Sequence, residues 1–515
     1  MSPQYPSRLT PYGHLMNIGE SLPRNAQRFP KKLAIVDARR SLTFLDLHLR
    51  TNRLADYFLK LGIRKGDRIG LSCGSRVEHF EALFALAKVG AVTVPYDYHW
   101  SAQECAAMVN FFAPKAFVLE GRKETKELAG ILRERLTRES MLVIEGAENI
   151  EGSLFEEALA TGSPGDPQIE VDGKDTFILM ITSGTTGFPK ACTVSHEAYT
   201  LRSLNYAITR GTNADERALM TLPVHFNAGR GSVIALLYIG GTVYIQERFN
   251  EQTFLETVER EKITFSILVP TLCERLSRYD KLDQFDRSSL TYLSITSGHL
   301  STESARSFGQ RVCAKFYEAY ASTDCGQITV LSPQDRNTRG DSVGKPIWCV
   351  RVKIADDDGR ELPLGESGEI CLRTPLAIDG YYRNPQATQE FLQNGWCHTG
   401  DIGFIDEQSY LTISGRKKNM VKSGGISVFP EEIEEALRKH PAVMDVAVIG
   451  FKSHEWGEAV KAVVVLNPGR TCDADGLIRF CKESLASYKA PKVVEFVSSL
   501  PRTAMGKIDR GKLGQ

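Results

Sequence analysis

The chain has 515 residues, 42% of them hydrophobic, which is enough to bury large cores and to build more than one domain. Lys plus Arg and Asp plus Glu both total 63, and no block of like charge marks a surface for nucleic acid or an anionic membrane. The most apolar stretch, 232–245, is broken by Gly240-Gly241 and too short to span a bilayer, residues 1–6 lead into no apolar segment, and the 11 cysteines are scattered without a C-x-x-C pair; these features predict a cytoplasmic protein with reduced thiols rather than a disulfide framework or a zinc site.

The first four hundred or so residues alternate strand-like and helix-like segments, as a parallel sheet with crossover helices would. One helix is well marked: Thr43 with Asp46 forms a capping box, Leu47, Leu54, Phe58 and Leu61 share a face, and Gly62 stands at the stop. Strands are predicted at Arg68 to Ser72, Ala91 to Pro95, Ala116 to Leu119, Leu142 to Glu145, Phe177 to Ile181, Thr242 to Gln246 and Phe265 to Val269. The tail changes character after Ser414. Pro430 opens a helix with Ile433, Ala436 and Leu437 inward, Val443 to Ile449 and Ala462 to Leu466 read as strands, and Asp473 caps another helix. The expected fold is α/β: a large N-terminal domain of layered sheets and helices, 1–415, and a smaller α+β domain, 416–515.

The strand at Phe177 to Ile181 runs into Thr182-Ser183-Gly184-Thr185-Thr186-Gly187-Phe188-Pro189-Lys190. Small residues let backbone N–H groups approach anionic oxygens, the hydroxyls add donors, and Lys190 adds a positive charge, as a phosphate-holding loop requires. It is not a Walker loop, because Pro189 rather than glycine precedes the lysine. An ordinary polar turn has the same composition. Further on, Tyr320-Ala321-Ser322-Thr323-Asp324 offers an aromatic face for a base, hydroxyls for phosphate and a carboxylate for a hard cation. Trp396-Cys397-His398-Thr399-Gly400-Asp401 places an acid after a turn, where ribose hydroxyls or a helix cap would both suit it. Gly415-Arg416-Lys417-Lys418 and Lys422-Ser423-Gly424-Gly425 form a basic, flexible boundary, either a solvated linker or a hinge. Near the C-terminus, Pro501-Arg502-Thr503-Ala504-Met505-Gly506-Lys507 presents a lysine on a glycine turn.

In identity, order and spacing these segments, together with Leu222-Pro223-Val224-His225-Phe226, resemble the motifs of the acyl-adenylate-forming superfamily of acyl-CoA synthetases, peptide-synthetase adenylation domains and firefly luciferase. The resemblance covers essentially the whole chain. It implies an AMP-forming acyl-CoA ligase that uses ATP, Mg²⁺ and coenzyme A. A carboxylate oxygen attacks the α-phosphorus of ATP and expels pyrophosphate; a thiol then attacks the acyl-adenylate and expels AMP. By the resemblance Thr182, Ser183, Gly184, Thr185, Thr186, Gly187 and Lys190 hold phosphates, Gly298, Glu318, Ala319 and Tyr320 border adenine, and Thr323 contacts the α-phosphate. Asp324 holds Mg²⁺, Asp401 and Arg416 bind ribose, and Lys507 bridges the carboxylate and α-phosphate. Lys418 is then the hinge of a mobile C-terminal domain whose Lys422, Ser423, Gly424 and Gly425 approach the site for the CoA step, and a homodimer would be in keeping with the class.

The sequence departs from the family pattern at Ala191 and Ala321, which stand where glycine is usual, at Asp324, which stands for glutamate, and at Thr296-Ser297-Gly298-His299-Leu300 on the adenine side. The acyl substrate is expected to meet His225, Phe226, Asn227, Gly229, Arg230, Ala321 and Gln327. Asn227 stands where amino-acid-activating domains carry aspartate, which argues against an amino acid, and the chain lacks the insertions common in long-chain enzymes. A short, medium-chain, alicyclic or aromatic acid is therefore expected. Arg230 is read two ways: as the partner of an anionic substrate group, or as a solvated or ion-paired side chain. A carrier-protein acceptor in place of free CoA, and a non-catalytic nucleotide-binding role, are the alternatives.

Overall fold

A computed structural model describes residues 16–146, 148–182, 190–298, 300–423, 426–453, 457–487, 489–502 and 508–513. The chain divides into two compact units, 1–351 with 373–397, and 352–372 with 398–515. This grouping places 352–372 and 398–415 with the C-terminal segment, whereas the expected division falls at 415/416.

Among the described residues of the first unit, two large sheets dominate. The first has eight strands in the order Gly380–Tyr381, Lys190–Ser195, Thr176–Thr182, Val92–Pro95, Arg68–Ser72, Ala116–Glu120, Met141–Ile144 and Ser153–Leu154. The second has nine, running from Lys345–Pro346 through Gly326–Leu331, Phe316–Ser322, Tyr292–Ile295, Phe265–Leu268, Arg217–Met220, Thr242–Ile245 and Leu33–Val36 to Ser41–Thr43. Their central strands pair in parallel and are buried along their lengths, which is why they read as short apolar runs without alternation. All seven predicted strands are present, with ends shifted by one residue at most. The capping box at Thr43 and Asp46 closes the helix Phe44–Lys60, with Leu47, Leu54 and Phe58 buried and Leu61 at its C-cap. All 11 cysteines are free thiols.

The helix Val77–Lys88 is buried all round, so even its last residue leaves solvent. Lys88 Nζ lies 3.1 Å from His48 Nδ1 and 3.9 Å from Asp166 Oδ1. Burial pulls its pKa from 10.5 down to about 7. Below pH 7 the ammonium is charged in both states and the folded state bears the full cost of burying it. Between pH 7 and 10.5 the unfolded chain holds the proton that the folded chain has shed, so stability rises with pH, by up to about 1.4 kcal/mol per unit from this group. Lys88→Met is expected to flatten that rise, as measured by melting both proteins across the window.

In the second unit, the helix Pro430–Arg438 packs Ile433, Ala436 and Leu437 inward, and Asp473 caps Ala474–Ser484 by accepting from Gly476 N. The two tail strands are longer than predicted, Val443–Ser453 and Gly457–Leu466, because the antiparallel pairing continues through Gly450↔Val460 and Lys452↔Glu458, where the apolar pattern has faded. Among the described residues, no helix is long and apolar enough to cross a membrane.

Candidate active site

The strands Thr176–Thr182 and Lys190–Ser195 form an antiparallel hairpin in which Thr182 faces Lys190 and Met180 faces Cys192. Its connection, with Ser183, Gly184, Thr185, Thr186 and Gly187, lies outside the described residues. A second hairpin, Phe316–Ser322 and Gly326–Leu331, carries half-buried Ala319, Tyr320 and Thr323 and exposed Ala321; a register shift after Tyr320 re-aims the tip that bears Thr323 and Asp324. Glu318 is buried in this strand and paired with Arg336, whose Nη2 donates to Leu300 O at 3.1 Å.

Tyr381 joins the two hairpins. It pairs with Cys192 in the sheet, its hydroxyl donates to Asp324 Oδ1 at 2.8 Å, and Lys190 Nζ stands 5.0 Å from its ring centroid. The Cys192 thiol donates to the same Oδ1 at 3.2 Å. Burial first, and then the Asp324 carboxylate, push both the Tyr381 hydroxyl and the Cys192 thiol well above their ordinary ranges, so both remain proton donors. Asp324 is thus fixed through Oδ1.

The helix His196–Arg210 follows the Lys190 strand directly, capped by Ser195, and extends the assembly. Arg202 Nε donates to Leu376 O at 2.8 Å, and its Nη2 to Thr323 O at 3.2 Å and Asp324 O at 3.4 Å, so one buried guanidinium braces the tip of the second hairpin. One turn earlier, Tyr199 OH donates to Asn227 Oδ1 at 3.2 Å. One turn later, Asn205 Nδ2 donates to Gln327 Oε1 at 3.0 Å. A single helix therefore positions the cation-holding candidate Asp324 and the acyl-side candidates Asn227 and Gln327.

The segment from Leu222 to Phe226 leads into the helix Asn227–Ile239. A Cβ on Gly229 would come within 2.5 Å of the carbonyl oxygens of Leu222 and Pro223, so this tight entry requires glycine. Arg230 is 1% exposed and its Nη1 donates to Val224 O and His225 O, both at 3.1 Å. It is neither solvated nor, among the described residues, joined to an acid, which departs from the expectation of a solvated or ion-paired side chain. Its guanidinium holds the turn that presents His225 and Phe226, whose rings lie 4.1 Å apart. Burial pushes His225 down to about 4, so the imidazole is neutral near pH 7. Gly298 is exposed at a turn, and its neighbour His299 lies outside the described residues.

In the second unit, Asp401 and Arg416 are cross-strand partners, with Arg416 Nε 2.5 Å from Asp401 Oδ1. Asp401 is 3% exposed while Arg416 is half exposed. Asp401 lies within the strand Trp396–Ile405 rather than after the expected turn; Gly400, at φ +70°, precedes it in that strand and its N–H donates to Glu369 Oε1 at 3.2 Å. Lys418 sits in the short 3₁₀ turn Lys417–Asn419, and Lys422 and Ser423 in the strand Val421–Ser423. Gly424, Gly425 and Lys507 lie outside the described residues. Sequence reasoning missed Tyr381 and Arg202 and took Cys192 only as one of the scattered reduced thiols. The one local signal for Tyr381 is Gly380 before it, at φ +153°.

The family model of AMP-binding enzymes matches residues 22–382, and that of the AMP-binding enzyme C-terminal domain matches 432–507. A feruloyl-CoA synthase from an Amycolatopsis species is 32% identical, over 95% of this chain and 97% of its own. An indoleacetate–CoA ligase from Aromatoleum aromaticum is 31% identical, over 97% of this chain and 98% of its own. The crystal structure of ATP-bound MatB from Rhodopseudomonas palustris superposes with a TM-score of 0.88 at 26% identity, covering 96% of this chain and 98% of that one. The chain belongs to the AMP-binding enzyme family and, within that acyl-adenylate-forming superfamily, is an AMP-forming acyl-CoA ligase.

Proposed function

We propose that this ligase activates an aromatic, alicyclic or short to medium-chain carboxylic acid, forms its acyl-adenylate, and transfers the acyl group to free CoA in the cytoplasm. The observation that carries the reading is the Lys190–Tyr381–Asp324 assembly. It sets a cation and a fixed carboxylate on either side of one phenol, as a site for a metal-bound polyphosphate requires. Both donors to Asp324 fall on Oδ1, which leaves Oδ2 as the oxygen for Mg²⁺, and a carboxylate held by a phenol and a thiol suits a hard cation. The ion would offset charge on the polyphosphate. Thr185, Thr186 and Lys190 hold the β- and γ-phosphates in this reading, Thr323 the α-phosphate, Tyr320 the base, and Asp401 with Arg416 the ribose. Ribose hydroxyls would take the place of part of the Asp401–Arg416 contact.

The acyl side favours a neutral tail. Asn227 is neutral and engaged by Tyr199, so it offers no counter-charge for an ammonium, and the buried Arg230 turns its Nη1 onto two carbonyl oxygens, which supports a neutral tail over a second carboxylate. The feruloyl-CoA synthase and the indoleacetate–CoA ligase among its relatives are likewise named for acids with aromatic rings. The test is AMP release from ATP and Mg²⁺ with CoA across acetate, hexanoate, cyclohexanecarboxylate, benzoate, crotonate and malonate. Hexanoate or a ring acid is expected to exceed malonate in kcat/KM by about tenfold or more. Preference for malonate would overturn the substrate reading and return Arg230 to an anion-binding role.

A further inference from the structure

The loop after the strand Val92–Pro95 brings Asp97 and His99 to His225, residues more than a hundred positions apart in the chain. Asp97 Oδ1 lies 2.8 Å from His99 Nδ1 and 3.7 Å from His225 Nε2, and one ligand atom from each of the three residues falls within 4.8 Å of the others. An ion bonded at about 2.0–2.1 Å in tetrahedral geometry separates its ligand atoms by about 3.3 Å. The three atoms therefore need only small side-chain movements to meet around one ion.

His225 supplies a second, independent observation. Its side chain is 4% exposed, its Nδ1 is buried without a hydrogen-bond partner, and its Nε2 stands beyond hydrogen-bond reach of Asp97. The edge that faces the cluster is Nε2, which at 3.7 Å from Asp97 makes no hydrogen bond to it and has its lone pair available for an ion between them. Other groups near it are Tyr98, edge-on at 5.2 Å, the Phe226 ring, and the Arg230 guanidinium, which donates to the His225 carbonyl oxygen. The His99 side chain is 54% exposed, so the cluster opens to solvent on that side.

We propose that Asp97, His99 and His225 form a binding site for a divalent transition-metal ion of the zinc type, with its remaining coordination position open to solvent beside His99. Two imidazoles and one carboxylate suit zinc, cobalt or nickel better than magnesium, so this site is distinct from the Asp324 position. No cysteine takes part, which is why cysteine spacing gave no sign of it. An ion here would clamp the turn ahead of Phe226 to the Asp97 loop.

Untagged full-length protein, stripped with chelator, is titrated with Zn²⁺ by calorimetry and with Co²⁺ by visible absorption. The expected result is one equivalent per chain, a tetrahedral Co²⁺ spectrum, and binding weakened by about tenfold or more in both His99→Ala and Asp97→Asn. His99 is half exposed, so its variant should melt with the metal-free wild type, which separates loss of a ligand from loss of fold. Absence of a stoichiometric site in the wild type, or a site that His99→Ala leaves unchanged, would overturn the proposal.

Discussion

Lys507→Ala is expected to lower ATP–pyrophosphate exchange by about 10²- to 10³-fold while leaving the conversion of a supplied acyl-adenylate and CoA to thioester within about threefold of wild type. The difference follows from where charge develops. During adenylation the carboxylate oxygen and the α-phosphate approach each other, and in the role proposed for Lys507 a compact ammonium between them would neutralise both. In the second step the nucleophile is a thiol, the leaving group is AMP, and that cation has no like-charged pair to bridge. A rigidified hinge should do the reverse. Lys418→Pro, placed in the 3₁₀ turn Lys417–Asn419, is expected to spare exchange and slow thioester formation. Measuring the half-reactions separately decides the matter, and equal damage to both from either substitution would contradict the two-step use of the site.

The largest effect on stability is expected at Arg76. Its guanidinium forks onto Glu78 through two bonds of 2.8 Å and reaches Glu120 Oε1 at 2.8 Å, with side-chain exposures of 4% for Arg76, 2% for Glu78 and 3% for Glu120. Arg76→Met would leave two carboxylates in the interior, with Arg40 at 3.0 Å from Glu78 and Arg122 at 2.6 Å from Glu120 as partial compensation. The expected loss is about 3–5 kcal/mol in denaturant unfolding. By contrast, Lys60→Ala breaks a surface pair with Asp56 and an exposed bond to Thr161 O, and should cost about 1 kcal/mol or less. A loss at Arg76 no larger than that at Lys60 would show that the interior there is far wetter than its burial implies.

Local patterns carried most of the fold. The capping box at Thr43 and Asp46, the apolar run at Phe177 to Ile181 and the proline that opens Pro430–Arg438 each act within a few residues, so the chain displays them directly. Strand ends in the tail were read short because backbone pairing from Gly450↔Val460 to Ser453↔Gly457 persists where glycines and the charged pair Lys452 and Glu458 interrupt the apolar run. The site was legible as motifs but not as an assembly. Asp324 was identifiable; that Tyr381, Cys192 and Arg202 hold it depends on sheet register and on a helix that brings residues 190–202, 324 and 376–381 together, which no short pattern encodes. Arg230 illustrates the same limit from the other side. Its charge suggested a ligand, whereas its position one turn into a helix lets it close back on the carbonyl groups of Val224 and His225.

The most direct measurement of the central claim is the panel assay run with and without CoA, counting AMP and acyl-CoA together. The account predicts an acid for which steady AMP release requires CoA and matches acyl-CoA formed one for one. Pyrophosphate exchange with an acid of the panel, but no thioester on adding CoA, would contradict it and make a carrier-bound thiol the acceptor.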